Sequence, residues 1–123
     1  MDNSFIIGYE NIKNDFGYFP TFHDDIIDKI EIFESEIIFI ITMKTIPNNI
    51  NIYPQVKITF FEVKSFNLEG QLYGLASIIL DMKFIKKYNY IETELTSSLG
   101  TSGTIKSNKV QIDLQYWILK YLY

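Results

Sequence analysis

The chain has 123 residues, 47% hydrophobic and 16% aromatic, which suits one hydrophobic core and leaves little room for a second domain. Its net charge is −4 with no arginine, which argues against nucleic acid as a partner, because phosphate binding depends on basic side chains displacing counterions. The absence of cysteine excludes a disulfide scaffold and a Cys nucleophile, and a single histidine excludes any site built on two imidazoles.

In chain order, residues 1–25 predict a short helical or irregular segment, with an apolar patch at Phe5-Ile6-Ile7 and a turn-rich stretch from Asn11 to Gly17. The N-terminus lacks a basic region and a long apolar run, so no secretory signal is expected. From Ile26 the apolar period becomes two. Ile30 and Ile32 alternate with Lys29, Glu31 and Phe33 as in a half-buried strand, and Glu34-Ser35-Glu36 predicts a turn. Ile37 to Lys44 then reads as a strand apolar on both faces and central in its sheet. Its run Ile37–Ile41 is far short of the about 20 apolar residues of a membrane span.

Ile46 to Pro54, rich in Asn and Pro, predicts a loop. Gln55 to Lys64 is the next strand, with Val56, Ile58 and Phe60 on one face and a phase change near Phe60-Phe61 that suggests a bulge or a strand covered on both sides. Ser65 to Gly74 predicts a loop or a single helical turn. Ala76 to Lys87 alternates with Ile78, Leu80, Met82 and Phe84 on one side; Tyr88-Asn89 turns into Tyr90 to Thr96, where Ile91, Thr93 and Leu95 oppose Tyr90, Glu92 and Glu94. Ser97 to Gly103 predicts the most flexible stretch. Lys109 to Trp117 closes the pattern with Val110, Ile112, Leu114 and Tyr116 inward, and Ile118 to Tyr123 is apolar enough to pack back on the body. The fold expected is mainly β, α+β at most: a single domain over 1–123 with about six antiparallel strands in a curved sheet or partial barrel.

Constellations that carry catalysis are missing. His23-Asp24 lacks the further histidines of a metal phosphohydrolase, and no Gly-x-Ser-x-Gly elbow presents a nucleophile to His23. A cation held by His23, Asp24, Asp25 and Asp28 is conceivable, although neighbouring residues on an extended chain diverge. Gly100-Thr101-Ser102-Gly103 lacks the Lys and following helix of a phosphate cradle, and without arginine there is no bidentate clamp for phosphate or carboxylate. No enzymatic activity, metal or other cofactor is therefore expected. A cytoplasmic binding protein is, with Glu31, Glu34, Glu36, Glu92 and Glu94 as candidate acidic contacts, Glu92 and Glu94 sharing one strand face. The aromatic run Phe16-Gly17-Tyr18-Phe19-Pro20-Thr21-Phe22 has two readings: a plug for one end of the sheet with Phe19 and Phe22 in the core, or an aromatic platform for a partner.

At Phe16-Gly17-Tyr18-Phe19-Pro20-Thr21-Phe22-His23-Asp24 the sequence resembles the immunity protein 50 family, which shows a Gly, an aromatic, Pro, a small hydroxyl residue, Phe, His and Asp before its first strand. Val56 to Leu68 is similar as well: a strand, a short polar link and a further hydrophobic segment. Phe19 stands where that family often has Trp. The resemblance implies a bacterial protein that binds a cognate toxin and occludes it without chemistry, with Phe19, Pro20, Phe22, His23 and Asp24 as motif residues of structural or partner-binding role. Acidic residues could then mimic phosphate toward a basic nuclease. A small-ligand-binding β-barrel and a structural adaptor or subunit are the alternatives, and exposed strand edges allow a homodimer.

Overall fold

The computed structural model describes residues 2–44, 53–70 and 77–115. One helix, α1 (Tyr9–Phe16), precedes six strands: β1 (Ile26–Ile32), β2 (Ile37–Thr42), β3 (Gln55–Glu69), β4 (Ser77–Lys86), β5 (Ile91–Leu99) and β6 (Ser102–Gln115). All strand pairs are antiparallel, and they close a barrel in the order β1-β2-β3-β6-β5-β4. Alternation fills its centre, as period-two patterning requires. Ile37, Phe39 and Ile41 from β2 meet Val56, Ile58 and Phe60 from β3 and Val110 and Ile112 from β6, all buried. Phe39 and Phe60 pack edge to face at 5.1 Å. No helix of the described residues is long and apolar enough to cross a membrane.

The mainly β class, the N-terminal helical segment, the turns at Glu34–Glu36 and Tyr88-Asn89 and the alternation of β5 agree with the sequence reading. Ile91, Thr93 and Leu95 are buried, while Glu92 and Glu94 lie on the outer side. The expected sheet or partial barrel is a closed one. The hairpin turns are held by Phe33 N–H donating to the Glu36 carbonyl and Lys87 N–H to the Tyr90 carbonyl, each at 2.8 Å.

Several expectations are corrected. Ser65 to Glu69 is strand rather than loop: after an irregularity between Val63 and Ser65, β3 continues against Ser102 to Lys106 of β6. The bulge thus sits later than Phe60-Phe61, with Glu62 at φ 51°. Ser97 to Gly103 is a tight β5–β6 hairpin, because hydroxyl groups replace the missing apolar anchors. Thr101 N–H donates to Ser77 Oγ at 3.0 Å, Ser97 N–H to Ser102 Oγ at 2.9 Å, and Ser97 Oγ to the Thr101 carbonyl. Gly100, at φ 104°, turns so close to Ser77 that a Cβ would lie 2.7 Å from its Cα. In β4, irregularities on either side of Ile79 change the phase: Ile79, Met82 and Phe84 are buried while Leu80 is exposed, not inward with them. A bulge at Asp28 likewise leaves Ile27 buried and Ile32 half out. Residues 46–52 of the predicted loop from Ile46 to Pro54, the readings of Gln71 to Ala76, Tyr116 and Trp117, and the packing of Ile118 to Tyr123 fall outside the described residues.

The N-terminal segment finishes the barrel. Ile7 bridges to β6, its N–H donating to the Val110 carbonyl at 2.9 Å and its carbonyl accepting from Ile112 N–H at 2.8 Å. Helix α1 buries Ile12 and Phe16 and ends at Gly17, whose N–H donates to the Lys13 carbonyl. Seam β1–β4 is short, with Ile26 opposite Ile78 and Ile27 opposite Ser77.

Candidate functional site

Two places in the sequence invite a functional reading, the aromatic run before β1 and the glutamates. The aromatic run is built into the body. Phe22 is 1% exposed and Pro20 is buried. Phe19 stacks on Tyr9 at 5.1 Å, and Phe19, Phe22 and Phe84 pack mutually edge to face at 6.2 to 6.4 Å. Such pairs add to the gain from burial itself. The backbone is held in unusual conformations, with φ 66° at Phe22 and 67° at Asp24, a strain that the surrounding contacts must offset.

His23 and Asp24 are exposed, yet they work as a clasp. His23 Nδ1 lies 2.7 Å from the Leu80 carbonyl, an acceptor only, so Nδ1–H donates. Its Nε2 lies 3.5 Å from the Asp24 carboxylate. Asp24 N–H donates to the Ile79 carbonyl at 2.8 Å, and Ile79 N–H to the Asp25 carbonyl at 2.9 Å. Residues 23–25 therefore zip onto β4 and extend the short β1–β4 seam. Beside the clasp, Tyr9, Phe19, Pro20, Thr21, Asp81 and Lys83 line an open groove of about 360 Å³.

The neighbouring acids point apart. Asp25 is buried and accepts from Lys44 N–H at 2.8 Å. Burial raises its carboxyl above the ordinary carboxylate value, an effect opposed by the Lys44 N–H and the Lys44 charge. Asp28 accepts from the Thr42 hydroxyl and from Gln55 Nε2 at 3.1 Å. No group of three or more His, Asp or Glu side chains able to hold a metal forms among the described residues.

The five glutamates separate into two groups. Glu92 and Glu94 lie on β5, opposite Lys106 of β6 and Lys83 of β4 respectively. Lys83 lies 3.7 Å from Asp81, and the Lys106 ammonium sits 5.6 Å from the centre of the Tyr90 ring. Glu31, Glu34 and Glu36 belong to the β1–β2 hairpin. Around the ring β2 is separated from β5 by β3 and β6 on one side and by β1 and β4 on the other. One flat partner surface therefore meets one group or the other.

The hairpin group has apolar company that the sequence reading missed. Phe33 is 54% exposed, Ile32 49%, Phe66 47% and Ile7 47%. The turn is seated on β3 by Val63 N–H, which donates to the Ser35 carbonyl at 2.9 Å, and it separates two grooves. In one, of about 290 Å³, Phe33 and Glu34 face Val63, Lys64 and Phe66. In the other, of about 360 Å³, Ile7 and Glu36 face Phe61, Glu62 and Lys109. Glu31 pairs with Lys29 at 3.5 Å and Glu62 accepts from Asn108 Nδ2 at 2.7 Å. Aromatic side chains on a rigid frame, rimmed by polar and acidic groups, have the make-up of a protein-binding surface. A signal was present in the sequence: Phe66-Asn67-Leu68 keeps strand alternation past the bulge, and Phe33 sits directly before a turn.

No protein-family model matches the chain, and neither a curated protein nor a solved structure is significantly similar to it.

Proposed function

We propose that this chain is a bacterial immunity protein that docks on a cognate toxin in the cytoplasm and occludes its active site, with no chemistry of its own. The observation that carries this reading is the set of exposed apolar side chains, Ile7, Ile32, Phe33 and Phe66, around the Glu34-Ser35-Glu36 turn. Large apolar side chains held by a packed scaffold lose little freedom on binding, which favours their use as anchors. Glu34, Glu36 and Glu62 add an acidic rim, and with a net charge of −4 they favour encounter with a basic toxin surface. The resemblance over the Pro20-Thr21-Phe22-His23-Asp24 string adds to the reading. In this account that string shapes the fold, and the hairpin end meets the partner.

The test is co-expression with the product of the gene immediately upstream. That product alone should arrest growth, this chain should restore it, and the two should co-elute on gel filtration. Replacing Phe33 and Phe66 together by alanine should abolish both rescue and complex while the circular dichroism spectrum is unchanged. Rescue that survives the double substitution would move the docking surface elsewhere. Absence of both toxicity and complex would remove the immunity reading.

A further inference from the structure

An open strand edge is a template for another strand, and most edges of this barrel are protected. Ile7 takes the β6 edge beyond the start of β5, and residues 23–25 take the β4 edge beyond β1. On β1, the bulge and the charges of Asp28, Lys29 and Glu31 discourage pairing. Among the described residues two stretches stay open: Asp81 to Lys86 of β4, which carries the charges of Asp81, Lys83 and Lys86, and Lys64 to Glu69 of β3. The β3 stretch pairs with β6 on one side and, among the described residues, with no strand on the other. Its middle, Ser65-Phe66-Asn67-Leu68, carries no charge and no proline.

Backbone directions on this edge follow from two contacts. Val63 N–H turns to Ser35, away from β6. Beyond the one-residue bulge, a Cβ placed on Gly103 would collide with the Asn67 carbonyl, so that carbonyl faces β6. Strand alternation then turns the N–H and C=O groups of Phe66 and Leu68 outward.

We propose that a second copy of this chain docks here, the two β3 edges pairing antiparallel about a two-fold axis at Asn67. An axis normal to the sheet keeps every side chain on its own face, so a residue pairs only with one an even number of positions away. With Asn67 opposite Asn67, Phe66 of each copy faces Leu68 of the other, and both present outward backbone groups. Phe66 stands opposite Ile105, on the face that turns toward the core. The Phe66–Leu68 pairs therefore cover apolar surface that is half exposed in one copy alone. Ser65 falls opposite Glu69, and the bulge holds Lys64 beside Ser65, so opposite charges meet at both ends of the pairing. Shifting by one step to set Phe66 opposite Phe66 would put Lys64 against Leu68 and lose that match.

The test needs no toxin; because Phe66 also belongs to the proposed toxin surface, dimer and toxin complex compete for it, and self-association is therefore measured on this chain alone. Sedimentation velocity of the full chain over a concentration series should show a monomer–dimer equilibrium. Hydrogen exchange at the Phe66 and Leu68 amides should slow as concentration rises. Glu69→Lys sets like charges together and should weaken the dimer roughly tenfold, and adding Lys64→Glu should restore it, with the circular dichroism of each variant unchanged. A chain monomeric throughout, a dimer indifferent to Glu69→Lys, or a charge swap that fails to restore pairing would overturn the proposal.

Discussion

The segment before β1 and the hairpin end of the barrel are both aromatic, and they use their aromatics in opposite ways. Phe16 and Phe22 lie in the core, with Phe19 packed against it, and His23 to Asp25 zip the segment to β4. At the hairpin end Phe33 and Phe66 are about half exposed beside Glu34, Glu36 and Lys64. Aromatic density therefore does not decide which rings are exposed; the supply of covering chain does. Helix α1 and the clasp cover the first region, whereas β3 and β6 run on past the β1–β2 turn, where no described element covers Phe66.

The largest effect that would break this contrast is at Phe22. Phe22→Ala removes a fully buried ring from a mutual packing of three, and should cost about 3–5 kcal/mol of stability in urea denaturation. A loss below 1 kcal/mol, on the order of a surface substitution, would show that the segment is an appendage. Next comes Phe33→Ala. If the proposed function holds, it should cost about 2 kcal/mol of binding to the upstream gene's product by calorimetry and shift stability by no more than about 0.5 kcal/mol. The reverse pattern would make the hairpin end structural.

A smaller effect is expected at His23. His23→Ala should lower stability by about 1 kcal/mol through loss of the bond to the Leu80 carbonyl, with toxin affinity unchanged. Unchanged melting with lost binding would transfer the docking role to the clasp. The smallest effect sharpens the electrostatics of the clasp. Burial makes the folded state hold the Asp25 proton more tightly than the unfolded chain does, so the ionised group detracts from stability at neutral pH. Stability from this group is regained as pH falls through the raised folded value toward 3.8. Asp25→Asn keeps an acceptor for Lys44 N–H and should melt at or above the parent at pH 7, the difference shrinking toward pH 4. Parallel melting profiles would contradict a raised folded-state value.

Much of the barrel was legible because strand alternation and burial are one phenomenon: Ile91, Thr93 and Leu95 point in for the reason that Glu92 and Glu94 do not. The errors fall where one residue changes phase or where polar groups do the anchoring. Bulges at Asp28, Lys64 and around Ile79 alter which side chains face the core without altering composition. The β5–β6 hairpin looked flexible because serine, threonine and glycine dominate it, yet the Ser97 and Ser102 hydroxyls bond backbone groups within it and the Ser77 hydroxyl of β4 accepts from Thr101 N–H. Of the candidate contacts, the sequence placed Glu34 and Glu36 at a turn. It could not separate them from Glu92 and Glu94, since only ring closure sets those on different sides. Phe66 was hidden in a stretch read as loop, and with it the β3 edge that no described strand pairs.

The contrast between a structural clasp and a proposed binding hairpin is tested most directly by hydrogen exchange on a complex with the upstream gene's product. Slowed exchange at residues 32–36 and 61–66, with 18–24 unchanged, is the result this account predicts. Protection concentrated at 18–24 would contradict it and return the aromatic run to the role of partner platform.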